Sequence, residues 1–331
     1  MPTPLLQVPE LLPHAAALQR LGYSTIEQLL GAAQIAGREL ERYLGTDVNA
    51  LLARLPFAAP TDDPEELARI ENSTYPMGVA IEHIPRMDEA PMIAAFEELP
   101  ASVTLVANMP PIRDQKERGT CVSFATLGAF EHSRGSKENF SEQFLYSKCK
   151  EVDGIPNVDG TYLGVAFPKA LAVYGCCLEA TWAYNPVKNP SNIGQGPASA
   201  PAIAEAKNFL PSATWPLTPT SVYDIKSQLA QKRCVAFSIP VFNSWYKNPA
   251  VRLSGDIIMP IPGETRAGGH AMCFVGYEDL QDKPEIGGGR FFLRNSWDSN
   301  WGIHSAVNQS GYGTIPYAYI SGFCVEAYVL K

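Results

Sequence analysis

Residues 115–127 read QKERGTCVSFATL, and this stretch surrounds Cys121 with residues that suit a reactive thiol. The apolar residues around it predict a helix that begins at Cys121 and runs to about His132. A thiol at a helix N-terminus lies at the positive end of the helix dipole, which stabilises the thiolate. Upstream, the Gln115 side chain can donate an N–H to an oxyanion, and Gly119 permits close approach of a substrate backbone.

Two further motifs lie far downstream. His270 follows two glycines, and Asn295 begins an Asn-Ser-Trp sequence that ends at Trp297. A histidine next to Cys121 would accept the thiol proton and return it to a leaving amine. Asn295 would orient the imidazole, and Trp297 would shield that hydrogen bond from water. The pattern predicts amide-bond chemistry through a covalent thioester.

Each of these residues also has an ordinary structural interpretation. Cys121 alone fits a buried structural cysteine, His270 a core histidine at a strand start, and Asn295 a turn residue. The combination and its order along the chain favour the chemical interpretation. The remaining histidines, at positions 14, 83, 132 and 304, lack comparable neighbours.

Composition narrows the function classes. The chain has 331 residues, of which 46% are hydrophobic and 18% charged, and its formal net charge is -8. The absence of a basic block argues against nucleic acid as a partner. No apolar run has membrane-spanning length, so no membrane partner is expected. Neither a metal nor an organic cofactor is implied, because His and Cys show no ligand spacing. A monomer is expected.

The N-terminus lacks the positive start and apolar segment of a secretory signal. The expected location is therefore the cytoplasm, or outside the cell by a route without a classical signal peptide. Without such a signal, the seven cysteines are expected to be mostly buried free thiols. Cys149 with Cys176 or Cys177 is the first pair to test for a disulfide.

Three regions are predicted along the chain. Residues 1–59 form a small helical domain, in which Ser24 and Glu27 fit a capping box and Gly31 fits a helix end. This unit is similar to helix-hairpin-helix modules that bind DNA backbone. Its four arginines against five acidic residues favour a docking or folding unit instead.

Residues 60–98 form an acidic linker, with ten acidic residues against two arginines. Within it, Ser73 to Ile81 is uncharged, and Pro76 and Gly78 predict an extended conformation there. We expect this run to lie across a cleft in the third region as an inhibitory pro-segment. The alternative is that it packs on the back of that region.

Residues 99–331 form the catalytic domain, with helices first and strands second. This order predicts an α+β fold with a helical lobe and an antiparallel sheet lobe. Ser141 is predicted to cap a helix that begins at Glu142. The strands are predicted over 234–241, 270–277, 289–295 and 315–320.

The third region resembles the papain family of cysteine peptidases. The resemblance rests on the Gln115–Cys121 stretch, on His270, on Asn295-Ser-Trp297, and on the Phe140-Ser-Glu-Gln-Phe-Leu sequence. It implies a two-lobed fold with a cleft, and an enzyme that hydrolyses peptide bonds in peptides or proteins.

By position, the resemblance implies that Cys121 is the nucleophile, His270 the general acid and base, and Asn295 its orienting partner. Gln115 would line the oxyanion hole. The implied substrate-binding positions are Gly119, Gly160, Gly269 and Trp297.

Several positions depart from the family pattern. Val122 replaces the usual tryptophan, and Arg118 replaces a disulfide cysteine. Asp159-Gly160-Thr161 stands where the family has paired glycines, with one glycine lost, and Gly269 stands where an acidic or polar residue is common. These departures resemble bacterial members. Two alternatives stay open on the same residues: a transpeptidase or other acyl transferase, and a catalytically silent binding protein.

Overall fold

The computed structural model describes residues 2–55, 75–85 and 98–331. Helices dominate the first part of the described chain and strands the second. This arrangement confirms the predicted α+β class. The run predicted from Ser73 to Ile81 is described from Tyr75 onward, and most of the predicted acidic linker lies outside the described residues.

Residues 2–55 are helical. Two short 3₁₀ turns precede three α-helices, which are α1 (Ala15–Arg20), α2 (Ile26–Leu44) and α3 (Val48–Leu52). Asp47 caps α3, because its side chain accepts the Ala50 N–H at 2.9 Å.

The predicted start and end of α2 were both wrong. Thr25 is the N-cap rather than Ser24, and it forms the capping box with Gln28 rather than with Glu27. The Glu27 carboxylate instead accepts the Thr3 N–H at 3.0 Å. The helix continues through Gly31 and stops at Gly45, whose φ of 65° is a left-handed conformation that glycine adopts without strain.

A helical lobe follows residue 98. Its central helix is α4 (Cys121–Ser133), which is buried along nearly its whole length because it is apolar on all sides. The next helix, α5 (Glu142–Val152), is capped as predicted by Ser141, whose hydroxyl accepts the Phe144 N–H at 3.0 Å. A helical stretch then comprises α6 (Leu163–Val165), a π-helix (Ala166–Leu171) and α7 (Ala172–Tyr174).

The strands of the described residues form one sheet of seven antiparallel strands. In order across the sheet they run β2-β7-β3-β4-β5-β6, and β1 pairs with β4. The bounds are β1 (Ser102–Thr104), β2 (Thr214–Pro216), β3 (Val235–Phe242), β4 (Arg266–Asp279), β5 (Gly289–Arg294), β6 (Tyr312–Pro316) and β7 (Glu326–Leu330). The remaining helices are α8 (Ala200–Ala206), α9 (Val222–Ala230), α10 (Asn243–Tyr246), α11 (Pro249–Ser254) and α12 (Tyr317–Phe323).

The last predicted strand, over 315–320, was wrong in its second half. The strand β6 ends at Pro316, and the chain continues as α12. Proline has no N–H to donate and its φ suits a first helical turn, so it separates the two elements here.

The described residues form two apolar cores, one in each lobe. The larger one joins the sheet lobe to side chains of residues 2–55, including Leu18, Ile26 and Leu29. The smaller one fills the helical lobe around α4 and includes Cys121. This division explains the two lobes, since each buries its own apolar side chains.

The N-terminal helices are held on the sheet lobe by polar contacts as well. The buried Asn248, just before α11, donates through Nδ2 to the Gln28 carbonyl at 2.8 Å. Opposite it, a Cβ on Gly31 would lie 2.3 Å from Asn248 Oδ1, so glycine is what permits this close packing. The Met259 N–H donates to the Leu21 carbonyl at 2.9 Å.

Candidate active site

Four separate elements bring the predicted residues together. Cys121 is the first residue of α4, and Gln115 lies in the loop before it. His270 lies in β4, and Asn295 directly follows β5. Because β4 and β5 pair in antiparallel register, His270 and Asn295 meet at the same end of the sheet. The Ala271 N–H points to Cys121 Sγ at 3.4 Å, so the thiol lies next to the histidine strand.

The imidazole of His270 is held by a hydrogen bond at one edge of the ring and by a stacked indole on one face. Its Nε2 lies 2.8 Å from Asn295 Oδ1. The same oxygen accepts the Ser296 N–H at 2.8 Å, which fixes the orientation of the amide. The Nε2 atom must therefore donate, which places the proton there and leaves the Nδ1 lone pair free. Nδ1 is buried and has no hydrogen-bond partner among the described residues.

Trp297 covers the histidine. The two rings stack with centroids 4.3 Å apart, and Trp297 is buried to 1% exposure. The indole therefore shields the His270–Asn295 hydrogen bond from water, as the sequence suggested.

Gln115 is fixed at the N-terminus of α4. Its Oε1 accepts the Ser296 hydroxyl at 2.7 Å, and its Nε2 donates to the Arg118 carbonyl at 2.9 Å. Its backbone N–H donates to the Ser296 carbonyl at 3.0 Å. One N–H of the amide is committed to the Arg118 carbonyl, and within the described residues no acceptor takes the second.

Burial keeps Cys121 and His270 neutral. It raises the pKa of the Cys121 thiol to about 12, although backbone N–H groups of Ala271 and Gly78 oppose the shift. It lowers the pKa of His270 to about 4, with the Asn295 hydrogen bond opposing. Both groups are fully buried, so neither is charged near neutral pH in this conformation.

The burial comes from the chain itself, because residues 75–81 lie in the cleft. The Gly78 N–H and the Val79 N–H both donate to the Gly269 carbonyl, at 3.2 and 3.1 Å. On the other side, the Thr161 N–H donates to the Gly78 carbonyl at 2.9 Å. The Ala80 N–H donates to the Thr161 carbonyl at 3.0 Å, which makes a parallel bridge between Val79 and Thr161.

The three glycines that were predicted from the sequence to contact substrate, Gly119, Gly160 and Gly269, all pack against this segment. A Cβ on Gly160 would lie 2.6 Å from the Gly78 carbonyl oxygen, and one on Gly269 would lie 2.7 Å from that of Val79. A Cβ on Gly78 would in turn lie 2.1 Å from the Gly119 carbonyl oxygen. Backbone therefore packs closely against residues 75–81 on both sides of the segment.

The segment enters the cleft beside Trp297. The indole Nε1–H donates to the Pro76 carbonyl at 3.0 Å, and the Tyr246 hydroxyl donates to the Tyr75 carbonyl at 2.6 Å. The Tyr75 ring packs between Trp297 and Arg252.

Sequence reasoning missed Tyr246, Arg252 and Ser296. Ser296 could have been noticed as the neighbour of Asn295. Tyr246 and Arg252 carry no local signal, since they reach the cleft only through the packing of α10 and α11.

Arg118 occupies a buried position in the loop before α4. Its guanidinium donates to Gln143 Oε1 at 2.6 Å and to the carbonyls of Asn185 and Ile193 at 2.8 and 3.2 Å. It therefore ties the loop before α4 to the loop at 185–193.

All seven cysteines lie within the described residues, and each is a buried free thiol. The described part of the chain contains no group of three or more side chains suited to a metal ion. In the same residues, no helix is both long and apolar enough to cross a membrane.

Comparisons with known proteins agree on one family. The family described as papain family cysteine protease matches residues 99–314. An uncharacterised peptidase C1-like protein of Acanthamoeba polyphaga mimivirus is 28% identical over 241 residues, which is 70% of this chain and 71% of that protein.

Solved structures share the fold. Xylellain, a cysteine protease from Xylella fastidiosa, superposes with a TM-score of 0.64 at 25% identity, over 77% of this chain and 95% of xylellain. Digestive procathepsin L 3 of Tenebrio molitor larval midgut superposes with a TM-score of 0.52 at 18% identity, over 96% of this chain and 98% of its own. The chain is thus a cysteine-type peptidase with the two-lobed papain-like fold, and it belongs to the papain family of cysteine proteases.

Proposed function

We propose that this peptidase hydrolyses peptide bonds through a Cys121–His270–Asn295 centre and that residues 75–81 hold it as a zymogen. The observation that carries the catalytic part is the orientation of His270. Its Nε2–H is committed to Asn295, its Nδ1 lone pair stays available, and the Cys121 thiol lies against the N–H of the next residue, Ala271.

The first half of the reaction forms a thioester. Once the cleft opens to water, the Cys121 thiol passes its proton to His270 Nδ1, and the thiolate adds to the substrate carbonyl carbon. The negative oxygen that forms accepts hydrogen bonds from the backbone N–H of Cys121 and the free N–H of Gln115. The carbon–nitrogen bond then breaks, and His270 gives its proton to the departing amine.

The second half regenerates the thiol. A water molecule gives a proton to His270 Nδ1 as it attacks the thioester carbonyl. The carbon–sulfur bond breaks, the acid product leaves, and Cys121 recovers the proton. Asn295 acts throughout by holding the imidazole in one orientation.

The direction of residues 75–81 supports the zymogen part. The leaving amine must lie on the His270 side of the cleft, where Trp297 covers the imidazole. A substrate therefore runs, from its N-terminus to its C-terminus, from the Thr161 side towards Trp297. The segment runs the opposite way, since Tyr75 lies by Trp297 and Val79 by Thr161. It therefore fills the cleft without presenting a peptide bond in the reactive direction.

The test uses the full-length chain on a library of internally quenched peptides. The wild-type chain and a Gly78→Ala chain, in which the segment no longer fits, are compared with their Cys121→Ala counterparts. Cleavage should require Cys121 and should be faster in the Gly78→Ala chain. Cleavage that survives Cys121→Ala would overturn the catalytic assignment. Equal rates with and without Gly78→Ala would overturn the zymogen assignment.

A further inference from the structure

Tyr75 fills a cage of three side chains that belong to the sheet lobe. Its ring lies 5.1 Å from Trp297 in an edge-on arrangement, and the Arg252 guanidinium lies over it at 4.5 Å. The Tyr246 hydroxyl holds its carbonyl at 2.6 Å. Tyr75 is buried to 5% exposure, so the cage encloses a whole aromatic side chain.

The walls of the cage are held by contacts that do not involve the segment. Trp297 stacks on His270 and packs against Trp301 with ring centroids 6.0 Å apart. Arg252 Nε donates to the Tyr246 carbonyl at 2.9 Å, and the Arg252 carbonyl accepts the Gly302 N–H at 2.7 Å. Because these contacts do not depend on the segment, we expect the cage to keep its shape when the segment leaves.

Arg252 gives the cage its chemistry. Within residues 2–55, 75–85 and 98–331, no carboxylate pairs with this guanidinium. Its charge instead faces the rings of Tyr75 and, at 5.7 Å, Tyr246. A partly desolvated cation of this kind is stabilised by the π face of an aromatic ring more than by an aliphatic group of the same size.

The cage lies on the side of the cleft from which the amine departs, because Trp297 forms both its wall and the cover of His270. We propose that Trp297, Tyr246 and Arg252 form a subsite that selects an aromatic side chain in the leaving part of the substrate. Arg252 is its specificity-determining residue. This inference rests on the proposed function, since that function defines which part of the substrate leaves.

An acidic side chain is the alternative occupant, because a guanidinium that pairs with no carboxylate of the described residues also attracts anions. The indole wall and the aromatic occupant already in place favour the aromatic ring. Cleavage rates of peptides with an aromatic or an acidic side chain at this position distinguish the two occupants.

The first experiment measures the cage in the intact chain, without any turnover. Iodoacetamide alkylation of Cys121, followed by peptide mapping, reports how often the segment opens. We expect Arg252→Met to raise the alkylation rate about 3- to 10-fold in the wild-type chain, and less than about 2-fold in the Tyr75→Leu background. Equal increases in both backgrounds would overturn the role of Arg252.

Two variants control this experiment. Arg233→Met removes another arginine that lies over an aromatic ring, Trp215 at 5.6 Å, away from the cleft, and it should leave the rate unchanged. Arg252→Lys keeps the charge but loses the planar group, and it should fall between wild type and Arg252→Met. Thermal melting of each variant confirms that the chain is folded.

The second experiment measures substrates of the Gly78→Ala chain. Matched peptides carry phenylalanine, cyclohexylalanine or glutamate in the first positions after the scissile bond. Phenylalanine should exceed cyclohexylalanine in kcat/KM by about 3- to 10-fold, and Arg252→Met should abolish that difference. A preference for glutamate, or an aromatic preference that survives Arg252→Met, would overturn the inference. If the effect of Arg252→Met on alkylation depended on Tyr75 but no peptide were cleaved, the proposed function would be overturned instead.

Discussion

Gly78 and Gly119 approach so closely that a Cβ on Gly78 would lie 2.1 Å from the Gly119 carbonyl oxygen. The neighbouring atom is backbone, so it cannot rotate away as a flexible side chain would. A single methyl group at position 78 must therefore move the segment out of the cleft or displace the loop before α4.

Gly78→Ala is expected to open the intact chain. The overpacking should weaken the blocked conformation enough to raise Cys121 alkylation about 10- to 100-fold at pH 7. Gly37→Ala is the matched control, because a Cβ there meets no atom within 4 Å. A Gly78→Ala chain that reacts no faster than the Gly37→Ala chain would show that the segment does not limit access.

Acid is expected to open the cleft as well. Burial lowers the pKa of His270 to about 4 from its ordinary 6.5, so the closed chain keeps the imidazole neutral where an open chain would protonate it. Between these two values the open chain binds more protons, and lowering the pH therefore favours opening. The effect is up to about tenfold per pH unit, and it ends once the pH falls through the closed-state pKa.

Hydrogen exchange measures this opening directly. The N–H groups of Gly78, Val79 and Ala80 are hydrogen-bonded in the cleft, and their protection, corrected for intrinsic exchange, should fall between pH 6.5 and pH 5. A His270→Gln chain, whose side chain does not titrate, should lose the dependence. If protection from exchange changed equally with pH in both chains, a titrating group other than His270 would be responsible for the opening.

Gln115 is expected to act on the transition state rather than on binding. One N–H of its amide is fixed to the Arg118 carbonyl, and we expect the other to face the position of the oxyanion. Gln115→Ala in the Gly78→Ala background should lower kcat about 10²- to 10³-fold with little change in KM. Gln7→Ala, an exposed site in the N-terminal region, serves as control. A loss confined to KM would contradict the assignment.

The sequence predicted the centre of this site because its parts lie in short, ordered motifs. Cys121 and its helix are encoded by adjacent residues, and Asn295 is marked by the Asn-Ser-Trp sequence. The capping box of α2 shows the opposite situation. Ser24 with Glu27 and Thr25 with Gln28 fit the same signature, and the choice is made by a distant group, the Thr3 N–H, which takes the Glu27 carboxylate.

Arg118 and Arg252 could not be interpreted from the sequence for the same reason. Arg118 was recognised only as the residue that replaces a cysteine. Its hydrogen bonds to Asn185 and Ile193 join loops that are far apart in the chain. Arg252 acquires its surroundings from Tyr75 and Tyr246, on two other segments.

Asn248 is expected to couple the N-terminal helices to the cleft. Its Nδ2 donates to the carbonyls of Gln28 and Ser244 at 2.8 and 3.2 Å, and its Oδ1 accepts the Ala250 N–H at 3.1 Å as the cap of α11. Asn248→Ala would leave buried carbonyls without donors and remove the cap. The free energy of unfolding should fall by about 3 kcal/mol, which corresponds to a Tm roughly 4 °C lower.

The loss of the cap at Asn248 should also affect the cleft, because α11 also carries Arg252. In the intact chain, Asn248→Ala should therefore speed Cys121 alkylation at temperatures below the melting transition. The control is Asn49→Ala, at an exposed site in α3, which should change neither the Tm nor the alkylation rate. If Asn248→Ala lowered the Tm without affecting alkylation, the N-terminal helices would stabilise the sheet lobe but would not position the cage around Tyr75. A Tm within about 1 °C of wild type would mean that water replaces the lost donors, and that the close packing of Gly31 on this helix carries the docking instead.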